Sequence, residues 1–341
     1  MPTKARDRGV DLIKAVAIFA VLVIHSCAYT DPVGSARWTG AVLLGSLARP
    51  AVPLFLMCSG ALMLPPERDL TAKRLWLHHF PRLLAAMLFW AMGYKAFALL
   101  RAGALTLPAL WQAAKEVLCF NQEFHFYYIH MMLLVYAALP VTRVFVRAAT
   151  RRQTEYALLF WFVTGILIPT LRSYWPFTLL GATSRYYMNM TYASVGYGLL
   201  GWYLTVYPPK KWLAWTAAAA GFAMALGGTL LRSLRTGELD TLWWEGMTVG
   251  VMLFAAGAFC LLRRAALRMR RTDTVRFVSE GSFCVYLVHV FFLYIFRALG
   301  FTGVSFFPLA AVPALAAALL ACSLALYAVL RKIPVVNRWL L

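Results

Sequence analysis

Apolar runs alternate with short polar segments along the whole sequence. Ten of these runs are long enough to cross a membrane as a helix, which takes about 20 mainly apolar residues. They lie at residues 10–29, 40–64, 80–100, 126–146, 155–171, 190–207, 212–231, 243–262, 277–297 and 308–330. Because little chain is left between them, the pattern predicts an all-α integral membrane protein, with residues 1–341 forming one transmembrane domain and no soluble appended domain.

The composition excludes a soluble protein. Hydrophobic residues make up 62% and charged residues 13% of the 341 residues, and the mean hydropathy is +0.69. Soluble domains carry about half apolar and about a quarter charged residues. The six cysteines form no CxxC pair and lie mostly in apolar runs, so we expect neither a disulfide framework nor a metal site.

The net charge of +20 comes from 33 basic and 13 acidic residues. A nucleic-acid-binding protein would collect such charge on a soluble face, whereas a membrane protein places it in the loops of its cytoplasmic side. Here the basic residues collect in alternate segments, at residues 4–14, 68–82, 143–152, 210–211, 263–276 and 331–338. The pattern predicts that both termini are cytoplasmic and that the protein has no nucleic-acid partner.

The first run contains three ionisable residues that a lipid environment penalises, Asp11, Lys14 and His25. Lys14 and His25 are eleven positions apart, which places them on one helix face, about 16 Å apart along the axis, and Asp11 falls on that face too. Lys14 is close enough to the cytoplasmic end to extend its ammonium group to the surface, so a surface role and a functional role are both open for it. His25 lies too deep for that, and we favour a functional role over a buried histidine satisfied by a neighbour.

The second run contains Arg49, which is costly inside a span unless it faces a cavity or an anion. Pro53, four residues later, lacks a backbone donor and predicts a kink. Ser59 and Gly60, near the inner end of this run, fit either close helix packing through small residues or a chemical role.

The ninth run has a polar face that spans about 60° and consists of Ser279, Ser282, Tyr286 and His289. Such a face predicts a cavity wall, and a seam of hydrogen bonds between helices is the alternative. Depth along the spans separates two polar layers. The outer half contains His25, Arg49 and His289, and the inner half contains Lys14, Ser59 and Ser279.

Two further clusters lie at the predicted membrane surfaces. On the outer rim, His125 precedes an aromatic stretch at residues 126–128, which is typical of an interfacial aromatic belt. His125 itself is a candidate to face an acceptor. On the inner side, Lys73, Arg74 and Arg82 fit the charge bias of cytoplasmic loops and equally a phosphate-rich cytosolic ligand.

Several of these residues resemble the motifs of a membrane acyltransferase family called acyltransferase 3. The segment from Arg8 to Lys14, ten residues and then His25 resemble the family's opening motif, with lysine as the less usual basic residue. The later blocks follow in order: Arg49 with residues 52–55 and Ser59-Gly60; His125-Phe126-Tyr127-Tyr128 with Tyr136 and Pro140, where Tyr127 replaces a tryptophan; Gly196-Tyr197-Gly198 with Gly201; and Ser282, Tyr286 and His289. The similarity covers essentially the whole chain. The short format is most similar to the bacterial O-acetyltransferases that modify enterobacterial common antigen.

The resemblance implies transfer of an acyl group, usually acetyl, from cytosolic acetyl-CoA to a hydroxyl of a cell-envelope glycan or a lipid-linked sugar, in the bacterial cytoplasmic membrane. His25 would act as general base or as acyl acceptor, and Arg49 or Tyr286 would donate to the oxyanion. The implied catalytic residues are His25, Lys14, Arg49, His289 and Tyr286. The implied donor-binding residues are Lys73, Arg74, Arg82, Arg143 and Ser59. The implied acceptor-binding residues are His125, Tyr127 and Ser282.

Two other functions remain open from the sequence. A transporter or flippase for an anionic or lipid-linked solute would use Arg49 and the histidines as its binding site. A transmembrane module that serves another reaction, such as amino-acid binding beside a racemase, is less favoured because no catalytic domain is appended. The acceptor, the acyl chain, the choice between direct transfer and an acyl-enzyme, and the oligomeric state are not determined by these patterns.

Overall fold

A computed structural model describes residues 6–172 and 188–341, so Lys4 of the first basic segment lies outside the described residues. The described chain contains helices and no strands. The helices are α1 Arg8–Ser26, α2 Ala36–Ala48, α3 Ala51–Met63, α4 Ala72–Arg74, α5 Phe80–Arg101, α6 Leu107–Leu118, α7 Tyr127–Ala148, α8 Arg151–Phe162, α9 Ile168–Arg172, α10 Met190–Val206, α11 Lys211–Thr236, α12 Val249–Ala266, α13 Asp273–Ala298, α14 Pro308–Leu330 and α15 Pro334–Trp339. Two π turns, Leu75–His79 and Val163–Leu167, join α4 to α5 and α8 to α9.

The predicted membrane-spanning helices are confirmed. Within the described ranges, nine helical stretches are long and apolar enough to cross a membrane, and each coincides with a predicted span. The shorter α10, with 17 residues, occupies the position of the remaining predicted span. The protein is therefore a multi-pass membrane protein with about ten membrane-spanning helices.

The spans that carry the polar residues are the central ones. About half of the first span and 67% of the second are buried, against 28% for the spans Ala72–Arg101 and Lys211–Thr236. Helix α1 packs against α2, α3, α12, α13 and α14. Its side chains Ile13, Ile18 and Leu22 are fully buried. Because α1 lies at the centre of the bundle, its polar residues face other helices rather than lipid.

Helices α1 and α13 are joined by polar contacts near both ends. At the inner end, the Ser279 hydroxyl donates to Asp11 Oδ1 at 2.7 Å. Arg6 pairs with both Asp11 and Glu280, at 2.5 and 2.7 Å. A second contact joins the two helices at the level of His25, in the outer half. Ser279 therefore takes part in a hydrogen bond between helices, which was the alternative to a cavity wall in the sequence analysis.

The second span is interrupted at Arg49 and Pro50, where α2 ends and α3 begins. The break expected from Pro53 is therefore observed one helical turn before it. Pro53 lies in the first turn of α3, where a backbone N–H has no intrahelical acceptor in any case. Its ring excludes a regular helical bond to the Arg49 carbonyl, so both prolines favour a break around Arg49.

Helices α3 and α10 pack backbone against backbone through glycine. A Cβ atom added at Gly60 would lie 1.8 Å from the Gly198 carbonyl oxygen, and one at Gly201 would lie 2.2 Å from the Met57 carbonyl oxygen. No side chain fits at either position. Gly60 therefore has the packing role that its small size suggested.

We expect Gly60→Ala to lower the unfolding temperature of the protein in detergent, because overpacking against a backbone typically costs about 1–3 kcal/mol. Gly227→Ala in α11 is the matched control, since a Cβ at that position meets nothing within 4 Å and alanine favours a helix over glycine by about 1 kcal/mol. Thermal unfolding followed by size-exclusion chromatography measures the difference. Equal stability of the two variants would contradict the close α3–α10 contact.

Candidate active site

Three histidine rings from three elements meet in the outer half of the bundle. His25 comes from the last turn of α1, His289 from α13, and His125 from the short 3₁₀ turn Phe124–Phe126. The rings of His25 and His289 stack with their centroids 4.9 Å apart. The His125 centroid lies 5.3 Å from that of His289 and 6.4 Å from that of His25. No group of side chains among the described residues has an arrangement that could hold a metal ion.

The helix backbone of α13 assigns the proton positions in the His25–His289 pair. His289 Nδ1 lies 3.1 Å from the Val285 carbonyl oxygen and 2.9 Å from the Tyr286 carbonyl oxygen. Carbonyl oxygens only accept, so this Nδ1 carries the proton and the Nε2 of the neutral ring has a lone pair. His25 Nδ1 lies 2.6 Å from that Nε2 and therefore donates to it.

This assignment leaves the Nε2 atom of His25 unprotonated, with a free lone pair. The atom has no hydrogen-bond partner among residues 6–172 and 188–341, and the His25 side chain lines a cavity. A neutral imidazole nitrogen that faces an open space can accept a proton from a hydroxyl group placed there. The geometry thus leaves an unprotonated imidazole nitrogen facing a cavity at the position that the sequence singled out.

The Tyr286 hydroxyl, which the resemblance offered as a donor to the oxyanion, already has a hydrogen-bond acceptor. Its single O–H donates to the backbone carbonyl of His125 in a short hydrogen bond. A phenol has only one proton to donate, so Tyr286 cannot also donate to an oxyanion while this bond holds. Tyr286 instead anchors the turn that carries His125 to α13.

The remaining candidate donors to an oxyanion are His125 and Arg49. Both ring nitrogens of His125 lack a hydrogen-bond partner, although the residue is only 1% exposed. The Arg49 Nε is likewise buried without a partner. Buried polar atoms normally have partners, so these atoms indicate a site where a ligand supplies them.

Arg49 owes its position to the helix break and to Trp244. The guanidinium carbon lies 4.1 Å from the centroid of the Trp244 ring. Trp244 is held in turn by its indole N–H, which donates to the Ser46 hydroxyl at 2.8 Å. Trp244 lies within the eighth predicted span but was not among the candidate residues, because its contact with Arg49 depends on how α2 meets the turn Leu242–Trp244.

We call the space in front of these residues the outer cavity. Its lining includes His25, Arg49, His125, Tyr127 and Tyr286. Beyond it lies an outer vestibule, which shares Arg49, Tyr127 and Trp244 with the cavity. Tyr127 is 50% exposed, which suits a residue at the entrance of an acceptor site.

A second pair of spaces continues towards the basic side of the bundle, which the sequence predicts to be cytoplasmic. The inner cavity is lined by Lys14, Ser59 and Ser282 among others. It shares Lys14 and Tyr136 with a further space, the inner mouth. The four spaces therefore form one series across the bundle.

Three aromatic side chains, Phe55, Tyr128 and Tyr286, line both the outer and the inner cavity. The Tyr128 ring centroid lies 5.9 Å from that of Phe55 and 5.3 Å from that of Tyr286. We call these three residues the aromatic collar. The sequence did not single out Phe55 or Tyr128 as site residues, because aromatic residues near a membrane surface are expected in any case.

Two predicted site residues lie on the other side of this collar from His25. Lys14 lines the inner cavity and the inner mouth, about three helical turns from His25. Ser282 also lines the inner cavity, and its hydroxyl donates to the Ser279 carbonyl oxygen at 2.8 Å. The structure therefore does not place Lys14 beside the reacting base, nor Ser282 with His125 and Tyr127.

The predicted donor-binding residues also lie in different places, and only some of them line the inner spaces. Arg82 lines the inner mouth, where it donates to the Leu341 backbone carbonyl. Lys73 and Arg74 are exposed and do not line the mouth. Ser59 lines the inner cavity and donates to the Phe55 carbonyl oxygen at 3.1 Å.

Arg143 has a structural position in place of the donor-binding one that was implied. The residue is 3% exposed, and its guanidinium donates to the carbonyl oxygens of Met63, Pro65 and Arg68. A cation there satisfies the carbonyl groups at the C-terminal end of α3. The sequence could not separate this contact from the other basic residues of the cytoplasmic side.

A comparison with protein families matches residues 7–328 to the acyltransferase domain of the acyltransferase 3 family. Comparisons with curated proteins and with solved structures found no match. The similarity to the O-acetyltransferases of enterobacterial common antigen therefore stays a prediction. Because the family match covers nearly the whole chain, this multi-pass protein belongs to the acyltransferase 3 family of membrane acyltransferases.

Proposed function

We propose that the protein transfers an acyl group, most simply acetyl, from cytosolic acyl-CoA to a hydroxyl of an envelope glycan or lipid-linked sugar on the other side of the bacterial cytoplasmic membrane. The observation that carries this proposal is the free Nε2 atom of His25, which faces a cavity in series with an opening on the basic, predicted cytoplasmic side. Family membership supports acyl transfer in general. The donor, the acceptor and the role of His25 are our inferences.

The inner mouth suits the anionic end of acyl-CoA. Lys14 and Arg82 line it, and the Lys14 ammonium has no ion pair among the described residues. Cations of this kind bind phosphate groups. The thiol arm of CoA would then extend along the inner cavity towards the collar, over the distance of about 16 Å that separates Lys14 from His25 along α1.

The acceptor hydroxyl would enter from the outer vestibule and lie against His25. His25 Nε2 takes the hydroxyl proton while the oxygen attacks the thioester carbonyl, the C–S bond breaks, and the departing thiolate receives the proton from the imidazolium. While His25 carries both protons, His289 Nε2 accepts from its Nδ1–H and stabilises the cation. His125 or Arg49 supplies the hydrogen bond to the oxyanion.

The aromatic collar favours a small acyl group, because the acyl group must pass between Phe55, Tyr128 and Tyr286 to reach His25. An acetyl group meets this requirement most easily. A transporter or flippase would use the same series of cavities, but it has no need of a histidine with a fixed tautomer. Transfer of label from acetyl-CoA to an acceptor by purified protein distinguishes the two functions.

We expect His25→Ala to lower acyl transfer by about 10²–10⁴-fold, which is the usual contribution of a general base. His25→Gln should fail to a similar degree, because an amide can hydrogen-bond but cannot take the proton. The measurement is transfer of radiolabelled acetyl from acetyl-CoA by each variant in lipid nanodiscs, with expression and monodispersity checked. Near-normal turnover of well-folded His25→Gln protein would rule out the assignment of His25 as base.

His289 should behave as a positioning residue, with a smaller effect than His25. In His289→Gln the side-chain amide oxygen can still accept from His25 Nδ1–H, whereas His289→Leu offers no acceptor. We expect Gln to retain several-fold more activity than Leu, with a larger change in kcat than in the KM of either substrate. The dependence of kcat on pH should shift in the Leu variant, because the imidazolium of His25 loses its acceptor. Equal activity and an unchanged pH profile in the two variants would show that His289 only fills space.

A further inference from the structure

Arg49 is a cation without a counter-charge at the acceptor end of the series of cavities. The lining of the outer cavity contains no Asp or Glu among the described residues. The vestibule has a single acidic side chain in its described lining, Glu245, which is exposed and forms no ion pair with Arg49. The Tyr29 hydroxyl lies near the guanidinium, but it is neutral.

Three other basic residues of the predicted outer side are paired. Arg37 lies 3.1 Å from Asp31, Lys95 lies 2.6 Å from Glu116, and Arg232 lies 2.8 Å from Asp240. These pairs lie on the rims and loops, where water already lowers the cost of a charge. Arg49 is further inside the bundle, at a helix break within a membrane span. Arg49 is therefore the most costly of these cations, and the described residues provide no counter-charge for it.

A transition state cannot supply this missing charge. The oxyanion of the transfer reaction exists only transiently, so it does not offset the cost of the cation in the resting protein or in the substrate complex. A permanent anion on a ligand would offset it in the bound state. His125, whose ring nitrogens have no partner, remains available to donate to the oxyanion in place of Arg49.

Trp244 positions Arg49 to bind an anion. The Arg49 guanidinium lies over the indole ring, and the N–H groups of a guanidinium match two oxygens of a carboxylate or phosphate. The Trp244 hydrogen bond to Ser46 fixes this arrangement before a ligand binds. Arg49 and Trp244 line both the vestibule and the cavity, and His25 lines the same cavity, so an anion bound there would share the cavity with His25.

We propose that the acceptor is an anionic glycan, with a carboxylate or phosphate that Arg49 binds close to the hydroxyl that is acylated. This inference rests on the proposed function and names its substrate class. It assigns Arg49 to acceptor binding and leaves the hydrogen bond to the oxyanion to His125.

The test compares matched acceptors with the protein in nanodiscs. One pair is a glucuronic-acid oligosaccharide and its neutral methyl ester, and a second pair is a sugar phosphate and the free sugar. Each is measured in two ways: equilibrium binding without a donor, and kcat/KM with acetyl-CoA. Arg49→Gln removes the charge. Arg101→Gln is the control for long-range attraction, because Arg101 is exposed and does not line the outer cavity or the vestibule.

For the wild-type protein and the Arg101→Gln control we expect tighter binding of the anionic member of at least one pair, by about 10- to 100-fold, which is typical of hydrogen bonds to a charged group. In Arg49→Gln this preference should fall to near unity. The pair that shows the preference identifies a carboxylate or a phosphate as the anion. Because binding is measured without a donor, a protein that binds the anion but transfers no acyl group would refute the proposed function and keep the anion site.

Two results would overturn the inference. One is equal binding of charged and neutral acceptors by the wild-type protein. The other is an Arg49→Gln variant whose kcat falls equally for charged and neutral acceptors while the preference is kept. The second result would assign Arg49 to the hydrogen bond that stabilises the oxyanion.

Discussion

The hydrogen bond between His25 Nδ1 and His289 Nε2, 2.6 Å long, is the interaction on which the proposed chemistry depends. It links the central helix α1 to α13 in a region shielded from water, where an unsatisfied polar group is costly. The backbone of α13 holds His289 in one tautomer, and His289 holds His25 in the complementary one. A rigid helix thus determines which nitrogen of His25 is a base. No ionised carboxylate is needed beside the imidazole to achieve this.

The same two helices would allow the proposed donor and acceptor to meet without opening the membrane. Polar contacts fix α1 and α13 together at the inner end through Asp11 and Ser279, and in the outer half through the histidines. Between these contacts the aromatic collar separates two cavities that belong to different sides. Large anionic groups would stay at the two ends, at Lys14 and at Arg49. Only the thiol arm and a small acyl group would have to pass the collar.

Much of the fold could be predicted from sequence, since spans of about 20 apolar residues follow directly from bilayer thickness. Counting residues along the spans also placed His25 and His289 in one layer, and the structure brings them into contact. Roles that depend on a single proton or on helix ends could not be predicted. The hydroxyl of Tyr286 donates to the His125 carbonyl, and the guanidinium of Arg143 donates to carbonyl groups at and after the end of α3. Periodicity gives the face of a helix, but it does not give the partner across it.

The central claim, transfer across the membrane through one protein, is tested most directly by separating the two substrates. Inverted membrane vesicles that contain the protein expose its cytoplasmic side, so labelled acetyl-CoA is added outside them and the glycan acceptor is trapped in the lumen. The account predicts that label appears on the luminal acceptor, and that vesicles of the opposite orientation with the same arrangement of substrates transfer none. Transfer that requires both substrates on the same side would contradict it.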